Sequence, residues 1–228
     1  MTGWTSLVIL NLANNHLFGK IPNSIGSLFR LETLGLGNNS FFWSNTWSLG
    51  TCSALQFLDL SYSSFSGKIL AWIGERISSL TFLILRSNNF DGDISLQLCW
   101  LTHIMLLDLS NNNLSSNMPW CIHNLIALAE KESSARDHTF LASHIDNRYY
   151  PQSYADKASE IWKGNKYDYR NLKYLRIVDL PSNMLTGGIP VQILVFFQLV
   201  ELNLSRNQLT RWIPPDIGWM RQLESLDL

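Results

Sequence analysis

Three aspartates are the residues whose recurrence first suggests chemistry. Asp59, Asp108 and Asp179 each stand between two apolar residues of a Leu-x-Leu type run. Paired carboxylates are the groups that general acid–base catalysis uses. These three, however, occupy the same slot of a recurring pattern, one in each run. We therefore do not interpret them as a catalytic carboxylate pair.

A cysteine close to a histidine is the second arrangement that could carry chemistry. Cys121 and His123 are two apart in the chain, but a catalytic cysteine needs a base within hydrogen-bond reach, which neighbours at that spacing rarely provide. No Gly-rich phosphate loop, H-E-x-x-H or G-x-S-x-G motif occurs. Three cysteines fit neither a closed disulfide framework nor a four-ligand zinc site. We predict no enzyme activity, no metal and no cofactor.

The composition excludes several classes of partner. The formal net charge of −1 argues against nucleic acid or an anionic membrane as the main partner. No uninterrupted apolar stretch reaches about 18 residues, so no transmembrane helix is predicted. The first residues, Met1 to Trp4, have neither the basic nor the apolar region of a signal peptide. With 46% apolar residues, the chain can bury a core.

An internal repeat positions all of these residues. Spaced apolar residues lead each time to an Asn, with 24, 24, 25, 24, 71 and 24 residues between successive positions. A fixed period of this length is typical of a leucine-rich-repeat solenoid. An eighth unit begins at Met220 and the chain ends before its Asn. The repeated Asn positions are Asn15, Asn39, Asn88, Asn112, Asn183 and Asn207, with Ser63 substituted in the third unit.

The pattern predicts a stack of short parallel strands. The leucines of each Leu-x-Leu run point inward, and only stacked units can bury them in a continuous core. The Asn turns inward after each strand, where its amide can bond backbone groups that the turn leaves unpaired. Ser63 has a shorter side chain, so we expect a weaker joint between units there.

The second half of each unit narrows the class. Leu-x-Gly-x-Ile-Pro follows Asn15 as residues 17–22 and Asn183 as residues 185–190. The element resembles the plant-specific class of extracellular leucine-rich repeats, in which it forms a second strand and a helical turn on the convex side. In that class, an acid at the slot of Asp59 is common and structural. The resemblance implies an α/β solenoid with a curved parallel-strand stack. Units with Leu70 or Ser95 in place of the Pro depart from the pattern.

A 47-residue insertion, residues 125–171, interrupts the solenoid. It holds 14 charged residues, against 11 in the preceding 124. We predict repeats 1–5 over 1–124 and repeats 6–8 over 172–228, the last incomplete. The insertion is either a disordered spacer or a partly folded flap packed on the concave face. Its many aromatic residues favour the flap: Phe140, Tyr149, Tyr150, Tyr154, Trp162, Tyr167 and Tyr169.

The insertion is similar to the island domain of plant receptor-like proteins. In that family a Tyr is followed after eight residues by Lys-Gly, and Tyr154, Lys163 and Gly164 match this spacing. The resemblance implies a fragment of a cell-surface receptor-like protein at the extracellular face of the plasma membrane. It also implies an extracellular peptide or protein ligand, and defence or developmental signalling through a partner receptor kinase.

The concave face is the expected ligand-binding surface. Phe57 and Phe82 fall at the same register of adjacent strands and are expected to form an exposed aromatic anchor, with Arg86 and Asp59 nearby. Alternatively, the island covers this pair, or the two are among the isolated apolar residues that every surface carries.

Two kinds of modification are also suggested. Asn38, Asn113 and Asn203 begin Asn-x-Ser sequons, which are glycan acceptors in the secretory pathway, although an Asn-rich repeat also generates sequons by composition. Cys99 and Cys121 lie at nearly corresponding positions of adjacent repeats. They either form a disulfide in an oxidising compartment or remain two buried thiols, and Cys52 is left unpaired.

Three alternatives to a receptor-like protein stay open. The chain is instead part of a receptor kinase ectodomain, a secreted inhibitor of cell-wall-degrading enzymes, or a truncated product without function. Such inhibitors are similar in repeat type but lack a long island. Both ends of the chain expose leucine core without capping modules, so we expect the isolated chain to aggregate or to fray at its termini.

Overall fold

The computed structural model describes residues 3–42, 48–69, 71–130 and 175–228, together with the backbone of four short strands between 139 and 169. The chain divides into two compact units. The first comprises Met1–Glu130 and Arg176–Leu228, and the second comprises Lys131–Leu175. The boundaries predicted from the sequence, at 124/125 and 171/172, stay a prediction.

The main sheet of the first unit consists of eight parallel strands in chain order, one for each repeat. This confirms the predicted solenoid with its parallel strand stack. We number repeats 1 to 8 by these strands, each three residues long: Ile9–Asn11, Thr33–Gly35, Phe57–Asp59, Phe82–Ile84, Leu106–Asp108, Ile177–Asp179, Glu201–Asn203 and Ser225–Asp227.

The register of the main sheet is the same at every joint. The central leucine of each strand pairs with that of the next, as in Leu58 with Leu83 and Leu83 with Leu107. Leu107 then pairs with Val178, so the sheet is continuous across the insertion. In repeats 2 to 7 these central side chains point inward and are buried, as the period-two alternation of a strand requires. Burying such apolar side chains is the main favourable contribution to the stability of the stack.

The second half of each repeat adds further parallel strands. Five form one sheet, and two pair separately. A glycine of the Leu-x-Gly-x-Ile-Pro element takes a positive φ, such as 95° at Gly19 and 74° at Gly187, which explains why the motif needs glycine there. The five-stranded sheet contains Ser66–Lys68, Asn89–Asp93, Asn113–Asn117, Met184–Gly187 and Gln208–Leu209, and the pair is Phe18–Lys20 with Ser40–Phe42.

Short helical turns return the chain to the next main strand. Pro22, Pro119 and Pro190 stand directly before such turns with φ near −65°, which proline favours. Most turns are 3₁₀ helices: Asn23–Ser27, Leu49–Thr51, Leu96–Trp100, Trp120–Asn124, Ile126–Leu128, Val191–Val195 and Ile217–Trp219.

One repeat returns through an α-helix instead, Trp72–Arg76. It belongs to the unit with 25 rather than 24 residues between Asn positions. A Cβ on Gly74 of this helix would overlap the carbonyl oxygen of Gln97, so the helix packs directly on the backbone of the next repeat. Glycine is therefore required at this close approach.

The second unit contains two antiparallel strand pairs. Thr139–Phe140 pairs with Tyr154–Ala155, and Ala158–Trp162 pairs with Asn165–Tyr169. The predicted packing of this segment on the solenoid lies outside the described residues.

Candidate functional site

The inward Asn residues hold successive repeats together by hydrogen bonds, and we call them the Asn ladder. Asn112 is representative: its Nδ2 donates to the carbonyls of Leu85 in the preceding repeat, and of Leu109 and Ser110 in its own, each at 3.1 Å. Its Oδ1 accepts from the backbone N–H of Phe90 at 3.0 Å. Since buried backbone groups need partners, the amide satisfies four of them. The same bonds to the two preceding residues of the repeat's own turn recur at Asn15, Asn39, Asn88, Asn183 and Asn207.

Ser63 interrupts the Asn ladder in repeat 3. Its Oγ is buried and has no hydrogen-bond partner among the described residues. A hydroxyl on one carbon cannot span the distances that the longer Asn amide bridges. The carbonyls that an Asn would bond there therefore lose one donor, as expected from the sequence.

Phe57 and Phe82 meet as their register predicted, but they are not exposed. The two residues pair across adjacent main strands, and their ring centroids are 5.8 Å apart. Their exposed fractions are 4% and 0%, so the expectation of an exposed aromatic anchor is wrong. The neighbouring side chains of the same row, Leu106 and Ile177, are buried as well. The repeat pattern alone shows which side chains leave the core, and it does not show what covers them.

A second polar row lies on the outward side of the main strands, and we call it the Asx row. In four repeats the side-chain oxygen of this Asn or Asp accepts from the backbone N–H two residues later, at 2.9 Å for Asp59 and 3.0 Å for Asp108. Asn11 and Asn203 do the same for Ala13 and Ser205. Asp59 and Asp108 thus have a structural role in closing the turn that follows their strands.

Arg86 joins three repeats in a buried ion cluster. Its Nε lies 3.0 Å from Oδ2 of Asp108 and donates to Oγ of Ser110 at 2.8 Å. Its Nη2 lies 2.7 Å from Oδ2 of Asp179. All three charged residues are at most 5% exposed. A guanidinium with five donors is suited to bridge two carboxylates in this way.

The acids outnumber the cation in this region, and burial disfavours their charged forms. Burial raises the pKa of Asp179 to about 7, and the nearby Asp108 carboxylate acts in the same direction while Arg86 opposes it. Burial likewise raises the pKa of Glu201 to about 7 and raises that of Asp59 above its usual range. Arg86 and Asp59 therefore contribute to the packing of the sheet, and their contact with a ligand stays a prediction.

The structure joins Cys99 and Cys121 in a disulfide, with Cα atoms 5.8 Å apart. The bond links the helical turns of repeats 4 and 5. Of the two alternatives that the sequence left open, the structure has the bonded one. Cys52 is buried and free, and burial raises the pKa of its thiol to about 11, so it stays protonated and unreactive.

The three sequons differ in environment. Asn38 and Asn113 are exposed. Asn203 is half-buried in a main strand, and its Oδ1 accepts from both the backbone N–H and the Oγ of Ser205. The predicted island motif is described only in part: Tyr154 lies in a short strand, and Lys163 and Gly164 lie outside the described residues.

An exposed aromatic groove lies between repeats 7 and 8, and the sequence pattern did not predict it. Phe197 and Trp219 are 51% and 68% exposed, and they line a groove of about 570 Å³ with Gln198, Arg221 and Gln222. Gln198 and Gln222 are one 24-residue period apart, so the stack places them side by side. Aromatic rings with an arginine and two amides are typical of binding surfaces. Large aromatic residues at non-ladder positions of the period were the available signal.

The described residues offer no metal-binding group of three or more His, Cys, Asp or Glu side chains. Among the same residues, no helix is long and apolar enough to cross a membrane.

Comparison with protein families identifies the repeat. The Leucine Rich Repeat family matches residues 6–28, 54–75, 103–125 and 198–220. Receptor-like protein EIX2 of Solanum lycopersicum is 42% identical over 60% of this chain and 13% of its own length. Receptor-like protein 35 of Arabidopsis thaliana is 34% identical over 97% of this chain and 19% of its own length. The chain thus spans less than a fifth of the length of these relatives.

Solved structures show the same stack. The ectodomain of the plant membrane receptor kinase GASSHO1/SCHENGEN3 from Arabidopsis thaliana, in complex with CASPARIAN STRIP INTEGRITY FACTOR 2, superposes with a TM-score of 0.77 at 28% identity, over 100% of this chain and 22% of that one. The Arabidopsis receptor kinase HAESA, in complex with the peptide hormone IDA and the co-receptor SERK1, superposes with a TM-score of 0.64 at 27% identity, over 97% and 33%. This chain is therefore a non-catalytic leucine-rich-repeat region related to the plant receptor-like proteins, and it corresponds to part of their length.

Proposed function

We propose that this chain is a ligand-binding part of a plant cell-surface receptor-like protein and that it recognises an extracellular peptide or protein. One observation carries the proposal: the similarity to Receptor-like protein 35 runs through 97% of the chain, across both repeat blocks and the insertion. The same stack occurs in GASSHO1/SCHENGEN3 and in HAESA, each solved with the ligand named above.

The proposed output is defence or developmental signalling through a partner receptor kinase. HAESA was solved with the co-receptor SERK1, which supports a co-receptor as the partner. The island motif of Tyr154, Lys163 and Gly164 supports the same assignment, because in the family that the insertion resembles this motif is implicated in signalling with an adaptor receptor kinase.

Two sets of residues are candidates for the contact with the ligand, and they differ in exposure. The groove of Phe197 and Trp219 is open to solvent, and truncating an exposed aromatic there removes contact area without disturbing the core. The row of Phe57 and Phe82 is buried, so a ligand that contacts it must first gain access to it. We therefore assign the first contact to the groove.

The test is a thermal-shift screen of the chain, secreted from plant cells, against synthetic secreted plant peptides. A peptide at 100 times its Kd stabilises the folded state by about 2.7 kcal/mol. For a chain of this size that corresponds to a rise in Tm of about 5–10 °C. Trp219→Ala is expected to abolish the shift. Trp212→Ala, which is 79% exposed and outside the groove, is the matched control and is expected to keep it.

Two results would contradict the proposal. If no peptide raises the Tm of a folded chain, the ligand-binding function is wrong. If Trp212→Ala and Trp219→Ala lose the shift equally, the groove is not the contact.

For the partner, a ternary complex with the SERK1 ectodomain is expected on size-exclusion chromatography only when peptide is present. Lys163→Ala is expected to weaken that complex without changing the thermal shift.

A receptor kinase ectodomain is the second candidate, because GASSHO1/SCHENGEN3 and HAESA are receptor kinases with the same stack. Receptor-like protein EIX2 and Receptor-like protein 35 are more similar in sequence, at 42% and 34% identity against 28% and 27%. Sequencing the full transcript distinguishes the two, since a kinase domain downstream would establish the second.

A further inference from the structure

The Asx row follows one rule in four repeats. An Asn or Asp side-chain oxygen accepts from the backbone N–H of the residue two positions later, which is Ala13, Ser61, Ser110 or Ser205. The bond needs only a backbone N–H, because alanine serves as well as serine. It closes the turn after the main strand of each of these four repeats and gives the side-chain oxygen a donor.

Repeat 6 breaks this rule through a proline. Asp179 occupies the Asx position, and the residue two positions later is Pro181. Proline has no backbone N–H, so the bond cannot form. Accordingly, Oδ1 of Asp179 is buried and has no hydrogen-bond partner among the described residues. A carboxylate oxygen deprived of water and of a donor is costly in its charged form.

The surroundings of Asp179 offer only partial compensation. Arg86 reaches its Oδ2 from repeat 4, but the same guanidinium also pairs with Asp108 of repeat 5. Glu201 lies on the adjacent strand of repeat 7 and adds a second acid. Arg176 lies in the same repeat as Asp179, and its Nε donates a hydrogen bond to the carbonyl of Ala127 at 2.8 Å. Among the described residues, the three acids Asp108, Asp179 and Glu201 thus lie near Arg86, which pairs with two of them.

We propose that Asp179 and Pro181 make the joint between repeats 5, 6 and 7 proton-sensitive, so that the stack is more stable when the Asp179 carboxyl carries a proton. A protonated carboxyl is neutral, which removes the repulsion from Asp108 and the cost of an undonated carboxylate oxygen. This inference does not depend on the proposed ligand, since it concerns the solenoid itself.

The direction of the pH dependence follows from linkage. The pKa of Asp179 is raised from 3.8 to about 7 by burial first and by Asp108 second. A raised pKa in the folded state means that the folded chain holds the proton more tightly than the unfolded chain. The contribution of this group is therefore fully present below about pH 4 and is lost as the pH rises through about 7.

The test restores the missing donor with Pro181→Ser, which copies repeats 5 and 7. The new N–H is expected to bond the Asp179 carboxylate and to lower the midpoint of its carboxyl ¹³C titration by about one pH unit. The variant's Tm should rise by about 4 °C more at pH 8 than at pH 5, as a hydrogen bond to a charged group would give. Pro181→Ala, which copies Ala13 of repeat 1, supplies the same N–H if the serine variant folds poorly.

The matched control is Ser205→Pro, which removes the donor to Asn203 in repeat 7. Because an amide does not titrate, this variant should lose the same Tm at pH 5 as at pH 8. The proposal is overturned if the wild-type Asp179 carboxyl titrates below pH 5. It is also overturned if Pro181→Ser and Pro181→Ala change the Tm equally at the two pH values.

Discussion

The Asn ladder and the Asx row are two polar rows that cross the same strands with the same period, yet they behave differently. An Asn of the ladder is a neutral amide that donates and accepts at once, as Asn112 does with four backbone groups. An acid of the Asx row only accepts when it is charged, so its energy depends on the donors around it. A repeat therefore preserves geometry more easily than it preserves electrostatics.

The largest effect is expected from breaking the ladder where it is buried. Asn112→Ala removes four hydrogen bonds and leaves the N–H of Phe90 without its acceptor in the core. We expect a loss of about 3 kcal/mol in the free energy of unfolding, measured by urea denaturation. Asn15→Ala is the control, because Asn15 makes the same two bonds to its own turn but lies in an exposed turn, so its loss should cost less than about 1 kcal/mol. Equal losses would show that burial does not set the strength of the ladder.

A smaller effect of opposite sign is expected from completing the ladder. Ser63→Asn restores an amide that can donate to the carbonyls which its neighbours bond at the equivalent positions. We expect a gain of about 1 kcal/mol, seen as a rise in Tm of about 2–4 °C. Ser63→Ala removes the unpartnered hydroxyl without adding an amide and should leave the Tm nearly unchanged. A fall in Tm for Ser63→Asn would mean that repeat 3 has no room for the longer side chain.

Glu201→Gln tests the acids that lie beside the Asx row. Burial raises the pKa of Glu201 to about 7, so its contribution to stability is present below its usual value of 4.5 and is lost as the pH rises through about 7. The variant should therefore show a smaller drop in Tm between pH 5 and pH 8 than the parent chain. Asn112→Ala serves as the control, since it should lower the Tm at both pH values alike. If the drop in Tm between pH 5 and pH 8 were unchanged in Glu201→Gln, Glu201 would not contribute to the pH dependence of the stability.

The smallest effect, one without a change in stability, concerns glycosylation. In the chain secreted from plant cells, we expect a glycan at the exposed Asn113 and none at Asn203, whose amide oxygen is held by Ser205 within a main strand. Mass spectrometry of glycosidase-treated peptides reports both sites. An occupied Asn203 would show that this strand of the Asx row opens before or after folding.

The ladder was predictable from the sequence because one residue type recurs at a fixed period and can satisfy only one geometry. The main strands and the interruption by the insertion followed from the same pattern, and the weaker joint at Ser63 stays a prediction. The burial of Phe57 and Phe82 was not predictable. The repeat pattern shows which side chains point away from the core, but it does not show what covers them. The bridging role of Arg86 depends on Asp179, 93 residues away, which no local pattern reveals. Pro181 is present in the sequence, but the hydrogen bond that it prevents is recognised only once the other repeats show that a backbone N–H is needed at this position.

The α-helix Trp72–Arg76 shows how the solenoid tolerates changes in length. Its repeat carries one residue more than its neighbours, and the main strands on either side still pair Phe57 with Phe82 and Phe82 with Leu106. The additional residue is accommodated in the helical segment that leads back to the next main strand, and the pairing of the main strands does not change. Insertions and deletions can therefore accumulate on the helical side over evolutionary time without shifting a single residue of the strand face. A solenoid of this kind can therefore vary in repeat length while the face formed by its main strands stays the same.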